Sequence, residues 1–377
     1  MLNNMLNKNE KIYQIALSLI KNIGFVLCKK LINHFGSASN IFEEEMKELK
    51  RIPYITKQIA KDITNKQTVI EADKILEMHT NEGIKIITVW EEEYPNRLKQ
   101  IRNSPILLFM KGDTNLNSNK IISIVGTRKA TEYGKKVTHT ILNELKPYDI
   151  IVVSGLAYGI DICAHKIALD LDIPTIAVLA MGLNIIYPYH HKKIANDMCK
   201  KGGLISEHPL NVKPENYQFA ARNRIIAGIS DATVIIEAPE KSGALITAHY
   251  ANEYDRDVFA VPNNIYEKYS VGCNNLIKNN QAHMIIDGTD IINSMNWTQH
   301  SELLSKHQSK ESDKFSNLTD IETKLVDALG KSKDGIHIDE LSFKTNMKHN
   351  QLASVLLQLE IKQIVKFLPG KKFGLVA

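Results

Sequence analysis

"IISIVGTRKATEYG", Ile121–Gly134, decides the fold. An apolar, mostly β-branched run ends on Gly126, and a short basic loop follows, carrying Thr131 just before Glu132. A near-continuous apolar run suits a strand buried on both faces, and a threonine at that position caps the helix that follows it. The same pattern recurs downstream. The run "IIVVSG" (Ile150–Gly155) leads to a helix at Asp161–Leu171, and "TIAVLAMG" (Thr175–Gly182) leads to one over His190–Lys201. "GLISE", "ATVIIEA", "VFAVP" and "HMIID" are the later strands, with helices at the stretch "FAARNRIIAG" (Phe219–Gly228) and at Ala244–Tyr254. Strict alternation of strands and helices predicts an α/β fold with a parallel, doubly wound sheet.

The flanks differ from this centre. Upstream, Ile12, Ile15, Ala16, Leu19, Ile20 and Ile23 repeat at helical spacing, and "NIGFVLCKKLINHFGS" reads as helix, Gly24 turn, helix. A weaker copy follows at "RIPYITKQIAKDI". Such pairs resemble helix-hairpin-helix modules, which present backbone N–H groups to a DNA phosphate. The second copy lacks the glycines and the first keeps only Gly24, so residues 1–83 read as a small structural helical domain. The sheet domain occupies 84–292, opened by the strand-like "IKIITVW" and "ILLFMKG". Residues 293–316 are polar and Ser/Lys-rich, a linker, and 317–377 read as helix, short strand, two helices and a hairpin across Pro369-Gly370, the order of a winged-helix domain.

Composition bounds the function. Of 377 residues 44% are hydrophobic, and the net charge of +5 permits a polyanionic partner without demanding one. Cys28, Cys163, Cys199 and Cys273 are far apart with no C-x-x-C pair, which fits a reducing cytoplasm. No signal peptide, membrane span, metal-ligand set or Ser/His/Asp arrangement is read from the spacing. The dinucleotide fingerprint is absent, because "SGLAYG" spaces its glycines by four, and so is the Walker pattern.

Ligands of open parallel sheets gather at the carboxyl ends of the strands. Those ends carry Gly126 and Arg128; Ser154, Gly155, Gly159 and Asp161; Glu207; the cluster Arg222, Asn223 and Arg224; and Lys241, Ser242 and Gly243 with Thr247 one turn on. Glycines and hydroxyls at helix N-termini favour anions. Phosphate is the expected guest, with the arginines of "FAARNRIIAG" at a helix mouth and Gly228 as the helix stop. In the alternative view the Arg–Asn–Arg cluster braces Glu207 or Glu237.

Taken in order, "SIVGTRKATEYG", "VVSGLAYGID", "GGLISEHP", "RNRIIAG", "SGALITAHYA" and "GCNNLIK" resemble the DprA/Smf family of DNA-processing proteins. The resemblance spans roughly 84–287. It implies an extended Rossmann-like sheet used as a groove for single-stranded DNA, not as a dinucleotide site. It also implies a cytoplasmic, non-enzymatic protein that protects incoming DNA in natural transformation and loads the RecA recombinase, with no cofactor or metal. By position, the phosphate contacts would be Gly126, Arg128, Ser154, Gly155, Gly159, Arg224, Lys241 and Ser242, with Phe219 as the stacking aromatic. A homodimer would form at the end of the sheet domain near Asn274, Ile277 and His283. Two departures stand out: Tyr158 replaces an arginine of the family pattern, and Ala220-Ala221 replace a proline and an arginine. The competing reading is a nucleotide-hydrolysing enzyme like the lysine-decarboxylase-like phosphoribohydrolases. It needs an acidic residue soon after Thr247, where Ala248, His249 and Tyr250 stand.

Overall fold

The computed structural model describes residues 2–118, 120–298, 318–330, 335–345, 347–362, 364–368 and 372–375. They divide into two compact units, Met1–Trp297 and Thr298–Ala377.

The first unit begins with six helices: α1 (Leu2–Leu19), α2 (Phe25–Phe35), α3 (Ala38–Glu43), α4 (Met46–Leu49), α5 (Lys57–Ile63) and α6 (Lys66–Asn81). Leu17, Ile20, Ile23, Cys28, Leu31, Ile41, Leu49 and Ile59 form their own core; Ile20, Ile23 and Leu31 are where the helical periodicity puts them, and Leu17 lies outside that predicted face. Ile15, Ala16, Ala72 and Ile75 belong instead to a core shared with Ile86, Phe109 and Leu204 of the sheet. The buried His79 fixes that junction: its ring stacks 4.3 Å from Phe109, and its Nε2 accepts the Leu210 N–H at 3.0 Å.

Nine strands form the sheet: β1 (Lys85–Thr88), β2 (Leu107–Gly112), β3 (Ile121–Val125), β4 (Ile151–Ser154), β5 (Thr175–Leu179), β6 (Gly203–Ser206), β7 (Ala232–Ile235), β8 (Asp257–Ala260) and β9 (His283–Met284). Their spatial order is β1-β2-β6-β5-β4-β3-β7-β8-β9. The seven strands from β3 to β9 are parallel, with registers such as Ile122↔Val152 and Val125↔Ile235. The alternating series forms the parallel sheet as expected, and the two strands ahead of it pair differently. β1 and β2 form an antiparallel pair that joins the edge through β2 and β6. No helix of crossover length separates them, so the chain can only return antiparallel. From β3 the order runs one way to β6 and the other way to β9, which puts the switch point between β3 and β7.

The connecting helices are α7 (Asn96–Lys99), α8 (Glu132–Leu145), α9 (Ile160–Asp170), α10 (Lys192–Lys201), α11 (Asn216–Ile229), α12 (Gly243–Glu253), α13 (Val271–Lys278) and α14 (Gly288–Met295). Thr131 caps α8 as expected, accepting the Gly134 N–H at 3.1 Å. α11 departs from expectation. A Glu215/Gln218 capping box starts it at Asn216, so Arg222, Asn223 and Arg224 lie well inside the helix, away from its mouth. Nor does Gly228 end it. This glycine is buried within the helix, and a Cβ there would come within 2.8 Å of Leu98 Cδ2 and Ile101 Cδ1. Close packing of α11 against α7, not a left-handed stop, explains the missing side chain.

α14 runs through Met295, so the residues read as linker from 293 begin inside a helix, and 299–316 lie outside the described residues. In the second unit, helices Asp320–Gly330, Ile338–Thr345 and His349–Ile361 carry a three-stranded antiparallel sheet of Ile336–His337, Lys372–Leu375 and Val365–Leu368. Leu325, Leu341, Leu352, Leu356 and Leu359 are its core, so three leucines of the last helix face inward, while Leu357 is exposed. The Pro369-Gly370 turn lies outside the described residues.

Candidate functional site

A cavity of about 380 Å³ opens outside the carboxyl ends of β3 and β7, at the switch point. Open α/β sheets bind ligands at this position, because the helices diverge there and leave a crevice. Three segments and one helix build its wall: Gly126–Arg128 after β3, Ala157 and Asp161 after β4, Lys241–Ala244 after β7, and Phe219, Arg222, Asn223 and Ile226 of α11. The α11 residues follow the spacing i, i+3, i+4, i+7, so one face of that helix forms one side.

The predicted anion sites at three helix N-termini are not equivalent. At α8 the position is filled by the protein's own carboxylate. Glu237, almost fully buried, accepts the Thr131 N–H at 3.0 Å and the Thr131 hydroxyl at 2.5 Å. Gly134 leaves the room for it, since a Cβ there would overlap Oε2. The loop before α9 is likewise committed. Asp161 is not its N-cap, a place taken by Gly159. Its carboxylate instead accepts the Gly155 N–H at 3.1 Å and the Ala157 N–H at 3.4 Å. Only α12 presents its start to the cavity with no carboxylate on it. Ser242 caps it through the Ala244 N–H, Gly243 is exposed, and the Asn223 amide donates to the Gly243 carbonyl at 3.0 Å and so fixes the turn.

The cations sort in the same way. Arg222 is buried, and its Nη1 donates to the Gly155 carbonyl at 2.9 Å and to the Val178 carbonyl. Burial pulls its guanidinium down to about 10 against the opposing pull of Asp161. Burial also pushes the Asp161 carboxyl up, against the attraction of Arg222 and the N–H bonds it accepts. The two groups meet over Gly155, where a Cβ would overlap Arg222 Nη2 and come within 2.8 Å of Asp161 Oδ2. Arg224 points away from the cavity. Its Nη1 and Nη2 grip Glu207 Oε1 and Oε2 at 3.0 and 2.5 Å, so the bracing alternative describes its geometry. Arg128 and Lys241 are exposed on the cavity wall, and among the described residues no carboxylate pairs with either. Arg128 lies over the half-buried Phe219 ring, 5.8 Å from its centroid, and the Tyr187 ring is tilted against it with centroids 5.8 Å apart.

Other expected contacts have structural partners. The buried Ser154 hydroxyl donates to Ile124 O at 2.6 Å, and the Thr247 hydroxyl reaches back to Gly243 O at 3.5 Å. Gly126 lets Ile160 approach, and Gly159, at φ +80°, lies so close to the Thr127 carbonyl that no side chain fits. Tyr158 is exposed outside the cavity wall, its ring edge-on to His191 at 5.1 Å. Asn274 is tied to the Asn263 backbone, Ile277 packs on the core, and His283 is exposed on the edge strand β9. The cavity wall also includes Asn216, Pro239 and Ile246, for which spacing carried no signal. Among the described residues there is no cluster of His, Cys, Asp or Glu that could hold a metal, and no helix is long and apolar enough to cross a membrane.

The family model for DNA recombination-mediator protein A matches residues 85–296, and that for the DprA winged helix domain matches 310–371. The chain is 32% identical to Protein Smf of Synechocystis, covering 97% of this chain and 98% of that protein. It is 41% identical to the DNA processing protein DprA of Bacillus subtilis, over 54% of this chain and 69% of that one. The X-ray structure of DNA processing protein A from Streptococcus pneumoniae superposes with a TM-score of 0.62 at 30% identity, covering 78% and 99% of the two chains. DNA processing protein A from Helicobacter pylori, whose structure concerns a single-stranded DNA binding mode, gives 0.52 at 30% identity over 57% and 97%. The chain belongs to the DNA recombination-mediator protein A family.

Proposed function

We propose that this member of the DNA recombination-mediator protein A family binds single-stranded DNA across the switch-point cavity and performs no catalytic step of its own. One observation carries the reading: Arg128 and Lys241, both without a carboxylate partner among the described residues, flank the open start of α12 with the Phe219 ring beside them. Cations and N–H groups hold a backbone while an aromatic face takes any base, which is how strands are gripped without reading sequence. The single-stranded DNA named for the Helicobacter pylori relative supports the same ligand.

Ser242 and Gly243 then let a backbone come close at the start of α12, while Gly126, Gly155 and Gly159 make room for Ile160, Arg222 and the Thr127 carbonyl and so shape the loops; Thr247 anchors the first turn of α12, and Arg222 and Asn223 hold the wall. Arg224 serves through Glu207, as a brace for the loop after β6. The RecA recombinase is the protein partner that the family resemblance implies, with protection of incoming DNA in natural transformation as the setting and the cytoplasm as the compartment. A homodimer through the β8–β9 end, near Asn274, Ile277 and His283, belongs to the same proposal. The phosphoribohydrolase alternative lacks a free acid: Asp161, the one carboxylate among the cavity's lining residues, already accepts two N–H bonds.

Fluorescence anisotropy with labelled single- and double-stranded oligonucleotides at several salt concentrations tests the reading. Tighter binding of the single strand, without metal or nucleotide, is the expected result. Equal or tighter duplex binding, or release of free base from nucleoside monophosphates, would overturn it.

A further inference from the structure

We infer that the N-terminal helices carry a second contact for single-stranded DNA, on the face where Lys30 meets Tyr54; this rests on the single-strand reading of the cavity. Val26, Lys29, Lys30 and Asn33 are exposed at spacing i, i+3, i+4, i+7 and so form one face of α2, opposite the buried Cys28 and Leu31. The Lys30 ammonium lies 5.0 Å from the centroid of the Tyr54 ring, which brings the turn before α5 against that face.

Tyr54 is unusual in two ways. It is 78% exposed, and its φ is +75°. A bulky L-residue in the left-handed region is strained, and turns usually place Gly or Asn there. Folding gains little from burying this ring, so a tyrosine at that point leaves its face open to a ligand in solvent. A cation over an aromatic ring recurs in the half-buried Phe219–Arg128 pair at the cavity.

Charge selects the occupant. Residues 21–61, which contain both sides of this contact, hold eight Lys or Arg against four Glu, all four of them between 43 and 48. Glu48 reaches in to pair with Arg51, but among the described residues no carboxylate pairs with Lys29, Lys30, Lys50 or Lys57. A basic helix face beside an upright aromatic fits a flexible polyanion with exposed bases better than an apolar partner or a duplex, whose bases are already stacked.

The test uses the full-length protein and two thymidine oligonucleotides, one of about 8 and one of about 40 nucleotides, bracketing the span of a single strand-binding module. Tyr54→Ala with Lys30→Ala should leave the short oligonucleotide's affinity unchanged. The same variant should weaken the long one about tenfold, with a salt slope shallower by about 0.7 for the lost phosphate contact. Lys29→Glu with Lys30→Glu, a change confined to exposed side chains, should also spare the short strand and weaken the long one by at least as much, with a slope change of about 0.7 or more, and guards against a folding defect in the first variant. Wild-type binding of the long strand that both variants keep unaltered would overturn the second contact and leave the cavity reading intact. An equal loss on both lengths would overturn it too, by placing the effect at the cavity. Absence of single-strand binding by the wild type would overturn both readings together.

Discussion

Arg224 and Glu207 form a two-pronged ion pair, Nη1 to Oε1 at 3.0 Å and Nη2 to Oε2 at 2.5 Å, with both side chains less than one-fifth exposed. The pair ties the middle of α11 to the loop after β6. Removing one partner leaves the other charge partly buried and alone. Arg224→Ala should therefore cost about 1–3 kcal/mol of stability, the lower part of the range reflecting residual solvent screening. Single-strand affinity at a temperature where the variant is folded should stay close to wild type. A thermal melt and an anisotropy titration check the two halves. An unchanged melt with a shallower salt slope would instead put Arg224 on a phosphate.

Arg128 and Lys241 should show the opposite behaviour. Each alanine variant should melt like wild type, since neither side chain has an ion-pair partner to abandon among the described residues. The log–log salt slope of single-strand binding should become shallower by about 0.7 per variant. Phe219→Ala should weaken binding by about 1–3 kcal/mol per stacked base with the slope unchanged, because a ring carries no counterion.

Gly159→Ala tests whether the glycines after β4 are there for the fold. At φ +80° and against the Thr127 carbonyl, a methyl group has no room and the backbone no allowed alternative. A loss of more than about 2 kcal/mol in urea unfolding is expected. A variant as stable as wild type would show that the loop moves freely.

Acid should destabilise the first unit before its carboxylates titrate. Burial pulls the His165 imidazole down to about 3, helped by Arg222 and His191, and burial also lowers His79, whose Nε2 must stay unprotonated to accept the Leu210 N–H. A depressed base takes up its proton in the unfolded chain first, near 6.5, so the unfolded state binds more protons below that value. Stability from this source is complete above pH 6.5 and falls as the pH drops toward about 3. Urea midpoints between pH 7 and 4 should decline, and His165→Gln should flatten that decline. A flat wild-type profile would mean these rings are hydrated.

A chain ending at Trp297 keeps the compact first unit and every cavity-lining residue. It should fold and bind single strands with affinity near that of the full chain. Complete loss of binding by a cooperatively melting truncation would move the site to the second unit.

The sequence by itself determined the elements and their kind. Buried strands need unbroken apolar runs, helix starts need a capping side chain, and both signals are local, so "IISIVG" and Thr131 declared β3 and α8 without help. It also pointed to the carboxyl ends of the strands as the rim for a ligand, while the strand order that opens a cavity between β3 and β7 came from the structure. What only the tertiary structure decided is which charges are left over. Arg222 is spent on the carbonyls of Gly155 and Val178, Arg224 on Glu207, and the start of α8 on Glu237, partners that lie 67, 44, 17 and 106 residues away along the chain. No periodicity encodes such pairings, because a charge acts across space. Burial then makes an unpaired ion costly enough that the fold, more than the neighbouring sequence, selects its partner. Among the described residues, Arg128 and Lys241 remain on the cavity wall beside the start of α12, which no carboxylate fills.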